Sequence, residues 1–293
     1  MKWRKRSRWF FGMGGVLLIA TSCLFVWLFL MDSRANVPSN PNGSPLAVAA
    51  NAADQDADGF AEVDWNYWKT INPDIIAWVN VANTKINYPI MRAPSDDPTF
   101  YLHHDIYRNY SVYGVPYLDT DYADNNEPAF NAIIYGHHMD NGSMFSDFAA
   151  YSDETYAQEH ATICLQTPAG KQQLCVSFVN IINGDTTAKA VQFSSEEAFQ
   201  EWYRQQRSQA QVTLNAPERE GYTESDEEES TSSPPYVVTF CTCSYHEFSN
   251  ERTLVVCRPI DEAPSHYAFL IGWRMTVFSR SGATLLASLK YIS

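Results

Sequence analysis

Basic residues are scarce in this sequence. The 293-residue chain has 34 Asp and Glu residues against 20 Lys and Arg residues, a formal net charge of −14. Five of the basic residues precede residue 9, so the part after Met31 has 34 acidic against 15 basic residues, a balance of −19. A protein that binds nucleic acid needs a basic surface to neutralise phosphates. The charge balance therefore argues against a nucleic-acid partner.

Charged residues are absent from residues 9–31, which follow a basic segment at residues 1–8. A helix of that length would be about 34 Å long, enough to cross a bilayer core of about 30 Å. The basic flank predicts a cytoplasmic N-terminus. The alternative is a cleaved signal peptide, but the apolar run exceeds the usual core of about 7–15 residues. We predict a single-pass membrane anchor with the rest of the chain outside the cell.

Three further segments lack the pattern of a packed domain. Residues 32–64 are polar and aperiodic and predict a flexible stalk. Residues 215–235 form an acidic loop, and residues 263–293 form a C-terminal tail without an assigned role. Residues 65–262, which include the acidic loop, contain short β-rich runs separated by turns, which indicates one mostly β domain.

Helical patterns are few in that domain. Apolar spacing predicts two short helices within residues 63–78, a helix over residues 145–156 and a helix over residues 194–209. Ser194 or Ser195 can cap the last of these, and Glu196 and Glu197 suit its positive N-terminal dipole.

The sequence also lacks a complete set of metal ligands, and it leaves open whether any cysteine pair forms a disulfide. His103 and His104 are adjacent but have no third ligand at useful spacing, so neither a metal nor an organic cofactor is predicted. Cys164 and Cys175 flank a predicted hairpin turn centred on residues 169–170, which would place them opposite each other. An exported protein can keep such a disulfide, and two buried thiols fit the pattern equally well.

Two stretches contain residues suited to catalysis. Residues 237–240 and 253–257 predict neighbouring strands, with Cys243 closing the first and Arg252 opening the second, opposite the cysteine. The apolar run at residues 131–135 predicts a buried strand, followed by Gly136 and His137. A thiolate nucleophile needs a nearby base and a donor for the oxyanion that it creates. Histidine and arginine supply these groups.

Three segments resemble the sortases, and class B sortases in particular. The stretch TFCTC followed by ERTLVV resembles the sortase cysteine and arginine signature, and IIYGHHMDNGSMF resembles the class B histidine segment. WKTINPDIIAWVNVANTKINYPIM resembles the opening of the same class. The resemblance implies a closed β-barrel with peripheral helices and assigns catalysis to His137, Cys243 and Arg252. His138 is the alternative candidate for the catalytic histidine. Arg258 lies about 20 Å further along the strand than Arg252, too far to share the site.

The resemblance also implies an activity. A class B sortase is a cysteine transpeptidase that cleaves an Asn-Pro-x-Thr-like sorting motif in secreted proteins and forms a thioester, here at Cys243. It then transfers the acyl group to an amine of a peptidoglycan precursor or a pilin. The alternatives are a cysteine endopeptidase that releases its product to water, and a non-enzymatic anchored surface protein.

Overall fold

The computed structural model describes residues 56–119, 130–184, 189–214, 234–244 and 250–260. The predicted membrane anchor, most of the stalk, nearly all of the acidic loop and the C-terminal tail lie outside these ranges. Within these ranges, no helix is both long enough and apolar enough to cross a membrane.

The described elements are mostly strands. The strands are β1 (Ile75–Asn80), β2 (Asn87–Arg92), β3 (Tyr117–Leu118), β4 (Asn131–Tyr135), β5 (Thr162–Thr167), β6 (Gly170–Asn183), β7 (Val212–Thr213), β8 (Val237–Cys243) and β9 (Glu251–Pro259). The α-helices are α1 (Trp65–Ile71), α2 (Ser146–Ala149), α3 (Glu154–Glu159) and α4 (Glu196–Ser208), with 3₁₀ turns at Phe100–Leu102 and Ala150–Ser152.

Eight of these strands close into a barrel. They follow the order β5-β1-β2-β3-β4-β8-β9-β6, and β6 pairs again with β5, while β7 extends the sheet from β6. The prediction of a mostly β, closed barrel with peripheral helices is confirmed. The predicted N-terminal transmembrane helix lies outside the described residues.

The strands that carry the predicted catalytic residues lie side by side in this barrel. β4 and β8 are parallel, whereas β8 and β9 are antiparallel. The C-terminal ends of β4 and β8 therefore meet the N-terminal end of β9 at one end of the barrel. All three strands are buried along most of their length, so side chains on both of their faces are packed.

Helix α4 covers one side of the barrel next to these strands. Ser195 caps it by accepting a hydrogen bond from the Ala198 amide at 3.2 Å, as one of the two predicted caps. Phe199 stacks on Phe130 with ring centroids 5.1 Å apart, and Tyr203 packs on Phe178 of β6 at 5.4 Å. The apolar face of α4 is therefore anchored on the sheet.

Two of the predicted helices are wrong in part. Only one helix, α1, forms in residues 63–78, and it ends before Pro73. The residues after it form β1, a strand buried on both faces whose apolar run mimics helical spacing. The predicted helix over residues 145–156 is broken into α2, a 3₁₀ turn and α3. Extended Asp153 interrupts it and caps α3 by accepting from the Tyr156 amide at 2.9 Å.

The predicted register of the β5–β6 hairpin is also wrong. Thr167 pairs with Gly170, so Pro168 and Ala169 form the turn and Cys164 pairs with Gln173, not Cys175. Cys175 pairs with Thr162 and lies diagonally from Cys164, and such neighbours are about 7–8 Å apart. A disulfide needs β-carbons about 3.5–4.5 Å apart. Both residues are buried free thiols.

Candidate active site

The end of the β4–β8 ladder brings His137 and Cys243 to the same end of the barrel. Tyr135 pairs with Cys241 in parallel register, and the Gly136 amide donates to the Cys241 carbonyl at 3.1 Å. Cys243 is the last residue of β8 and lies on the face of Cys241, because side chains of a strand alternate with a period of two. His137 follows two residues after Tyr135, where β4 has ended, and lies at the same end of the barrel.

Arg252 is placed by the neighbouring strand. It pairs directly with Cys243 in the antiparallel β8–β9 ladder, as predicted. Its Nη1 donates to the Glu251 carbonyl at 2.9 Å. Arg252, Cys243 and His137 are all half-buried. The structure thus brings the three predicted residues together at one end of three adjacent strands. Arg258 lies near the other end of β9, where it pairs with Cys175.

The turn after β4 requires a glycine. A Cβ on Gly136 would lie 2.4 Å from Cδ2 of the Phe145 ring. Phe145 is fully buried, and its amide donates to the His137 carbonyl at 2.8 Å. The chain thus folds back over its own strand end, and Gly136 allows Phe145 to pack directly beneath it.

The His137 ring is held by a residue that sequence reasoning missed. Its Nε2 lies 2.8 Å from the Leu102 carbonyl. A carbonyl only accepts, so Nε2 carries the hydrogen, and Nδ1 carries the lone pair of the neutral ring. Since a backbone carbonyl has no side-chain signature, no sequence motif could have identified it.

Gly114 allows that carbonyl to reach its position. Its φ is +55°, and a Cβ there would lie 2.5 Å from the Tyr101 carbonyl oxygen and 2.6 Å from that of Leu102. The Val115 amide donates to the Tyr101 carbonyl at 2.9 Å and closes the loop. Only glycine fits this left-handed, tightly packed position without strain. The glycine itself was the available signal in the sequence.

His138 points to a different partner from His137. Its Nδ1 lies 2.8 Å from the Cys243 carbonyl oxygen, so Nδ1–H donates across 105 positions of sequence. The two adjacent histidines therefore carry their bound hydrogens on opposite ring nitrogens. His138 contacts the backbone of Cys243, whereas His137 contacts the backbone of Leu102.

The other cysteines of β8 and β9 are sealed from solvent. Cys241 is 2% exposed, and burial raises the pKa of its thiol to about 12, although Lys189 and Arg252 oppose the shift. Burial also raises the pKa of the Cys257 thiol. Both remain neutral thiols near neutral pH. Cys243 is half-buried, so it is the thiol of these two strands that a substrate can reach.

The histidines upstream of the barrel end do not form a metal cluster with other ligands. His104 Nδ1 donates to the Phe100 carbonyl at 2.7 Å, and its ring stacks on Phe100. The His103 ring lies 6.2 Å from the His137 ring, centroid to centroid. In the described ranges, no group of three or more His, Cys, Asp or Glu side chains is arranged to hold a metal ion.

Comparison with known proteins places this arrangement in a family. No family model matches the chain. Sortase B of Listeria monocytogenes is 27% identical over 166 residues, which cover 56% of this chain and 66% of that protein, slightly under two thirds of its length. Sortase B of Staphylococcus aureus is 23% identical over 192 residues, 65% of this chain and 72% of that protein.

A solved structure agrees with these relatives. The crystal structure of Clostridium perfringens sortase B superposes with a TM-score of 0.55 and 26% identity, covering 67% of this chain and 99% of that one. The barrel, with Cys243, His137 and Arg252 at the ends of three adjacent strands, is similar to that of this sortase B. The two relatives and the solved structure are all sortase B proteins, which confirms the predicted resemblance to class B sortases.

Proposed function

We propose that this chain is a cysteine transpeptidase in which Cys243, His137 and Arg252 act on one substrate carbonyl. The observation that carries the proposal is the strand register. Cys243 pairs directly with Arg252, and His137 follows the β4–β8 ladder at the same distance as Cys243. A nucleophile, a proton-transfer group and a cationic donor thereby lie at the same end of the barrel.

The first half-reaction forms a thioester. The Cys243 thiol passes its proton to Nδ1 of His137, and the resulting thiolate attacks the carbonyl carbon of the scissile peptide bond. The carbonyl oxygen becomes an oxyanion that Arg252 stabilises. His137 transfers a proton to the leaving nitrogen, the C–N bond breaks, and an amine leaves. Because Nε2–H of His137 is engaged by the Leu102 carbonyl, Nδ1 is the nitrogen that gives up and takes back the proton.

The second half-reaction transfers the acyl group. An incoming amine attacks the thioester carbonyl, His137 accepts a proton from that amine, and the C–S bond breaks to return the Cys243 sulfur. Arg252 stabilises the second oxyanion as it did the first. The steps balance without a metal, an oxidant or an organic cofactor.

The proposed setting is the outer surface of the cell membrane. Residues 9–31 would anchor the chain, with residues 1–8 in the cytoplasm and the barrel outside. The donor substrates would be secreted proteins with an Asn-Pro-x-Thr-like sorting motif. The acceptor would be an amine of a peptidoglycan precursor or a pilin.

Product analysis tests this function. The full-length protein in detergent is incubated with an Asn-Pro-Gln-Thr-containing peptide, with and without triglycine, and the products are analysed by mass. We expect the peptide to be cleaved after Thr and extended by triglycine, and we expect neither product with Cys243→Ala. Cleavage with no extension by any amine would instead identify a hydrolytic peptidase.

A further inference from the structure

The hydrogen bond between His138 and the nucleophile's own backbone has no part in the mechanism above. Nδ1–H of His138 donates to the carbonyl oxygen of Cys243 at 2.8 Å. A carbonyl at the end of an exposed strand can be satisfied by water. Here a half-buried side chain from another strand connection holds it.

The position of this bond in the sheet is informative. In the parallel β4–β8 ladder, alternate amides of β4 donate to carbonyls of β8. The Gly136 amide donates to the Cys241 carbonyl at 3.1 Å. The next carbonyl facing β4 is that of Cys243, and the residue at the corresponding position is His138. Strand pairing itself ends at Tyr135 and Cys241, so the His138 side chain bonds where the next rung would lie.

The chain around His138 departs from the strand for a reason. His138 forms an isolated antiparallel bridge with Met144, and the Phe145 amide donates to the His137 carbonyl at 2.8 Å. The segment therefore turns back on itself immediately after β4, which separates His137 from the ladder. An imidazole reaches further than a backbone amide, so it can hold β8 while the backbone moves away.

We propose that His138 is a positioning residue that fixes the peptide plane of Cys243 and thereby the direction of its sulfur. On its other side, β8 is held by the pairing of Cys243 with Arg252 and by the Ser244 amide, which donates to the Glu251 carbonyl at 3.1 Å. His138 completes this restraint from the β4 side. Its catalytic consequence rests on the proposed function, because a sulfur displaced by about 1 Å can cost about 100-fold in rate.

Two matched substitutions distinguish the loss of the hydrogen-bond donor of His138 from the loss of its imidazole ring. Asn at position 138 places its amide N–H close to the site of Nδ1, whereas Leu has nearly the same shape as Asn and no donor. For thioester formation in a single turnover by the full-length protein in detergent, we expect His138→Asn to stay within about 3-fold of wild type. We expect His138→Leu to lose about 10-fold to 100-fold, with the KM for the peptide changed less than about 2-fold.

The pH dependence of the rate tests whether His138 acts as an acid or a base. An amide does not titrate, so His138→Asn should keep the pH dependence of the wild-type rate as well as its magnitude. Equal losses in the Asn and Leu variants would overturn the proposal, because they would show that the imidazole itself is needed. A wild-type rate in His138→Leu would also overturn it.

A second measurement does not depend on any activity. The Ser244 amide reports the order of the β8 end, and its hydrogen exchange can be followed by mass spectrometry or NMR. We expect exchange to accelerate by about 10-fold or more in His138→Leu and to return to the wild-type rate in His138→Asn. Equal exchange in all three proteins, with unchanged Tm, would overturn the positioning role. If exchange responds as expected but wild type forms no thioester with any peptide, the proposed function fails and the restraint on β8 stands.

Discussion

Replacing Gly136 by alanine should damage both the stability and the activity of the protein. The added Cβ would lie 2.4 Å from Cδ2 and 2.5 Å from Cγ of Phe145, whereas carbon atoms in contact normally lie about 3.5–4.0 Å apart. A displacement of about 1 Å is therefore required. Because Gly136 has no positive φ, the backbone accepts alanine, and the whole cost comes from this clash.

Phe145 cannot move aside easily. Its ring packs edge to face on Phe148, with centroids 4.8 Å apart, and lies 6.0 Å from Phe240 of β8. Overpacking of this kind typically costs about 1–3 kcal/mol of the free energy of unfolding. At about 2–4 °C per kcal/mol for a domain of this size, the Tm should fall by roughly 2–12 °C. Displacement of the adjacent His137 by about 1 Å could lower the rate of thioester formation by up to about 100-fold.

A double-mutant cycle provides the assay. Urea unfolding and single-turnover rates are measured for Gly136→Ala, Phe145→Leu and the double variant. Leucine removes the ring atoms that the new Cβ meets, so the alanine should cost at least about 1 kcal/mol less in the Phe145→Leu background. Strict additivity of the two free energies would refute the reasoning, because it would show that Phe145 is not the obstacle.

Three further predictions follow from the same geometry. Arg252→Lys should lower the rate of thioester formation at least about 10-fold, because a point charge cannot replace a planar fork of donors; a wild-type rate would remove Arg252 from the site. Gly114→Ala should lower both the Tm and the rate, because its Cβ would push the Leu102 carbonyl away from His137, and an unchanged Tm would contradict the packing. The pKa of Cys241 is raised from about 9 to about 12, so its contribution to stability is complete below pH 9 and is lost as the pH rises through the window from 9 to 12. Cys241→Ala should therefore flatten the decline in urea-unfolding stability above pH 9 by up to about 1.4 kcal/mol per pH unit, and an unchanged slope would contradict the burial effect.

Local patterns predicted the parts of the fold that carry the site. β4 was predicted with its observed bounds, Asn131–Tyr135, because a continuous apolar run ends there at a glycine. The pairing of Cys243 with Arg252 followed from the spacing of two β-rich runs. Both features depend on residues close in sequence or on one strand pair, where side-chain periodicity carries the information.

The errors came from turn chemistry and from tertiary contacts. The β5–β6 turn is formed by Pro168 and Ala169, while the prediction centred it one residue later, on Ala169 and Gly170. The contacts that orient the two histidines use the carbonyl groups of Leu102 and Cys243. Every residue has a carbonyl, so neither contact leaves a signal in the sequence. Such contacts become visible only when the strands are assembled.

The central claim is that Cys243, His137 and Arg252 form one acyl-transfer site. Its most direct test is the intact mass of the full-length protein after brief exposure to an Asn-Pro-Gln-Thr-containing peptide. We expect an acyl adduct in wild type and in the control Arg258→Ala, whose arginine lies near the far end of β9. We expect no adduct in Cys243→Ala and slow adduct formation in His137→Ala and Arg252→Ala. An adduct that persists in Cys243→Ala would contradict the account.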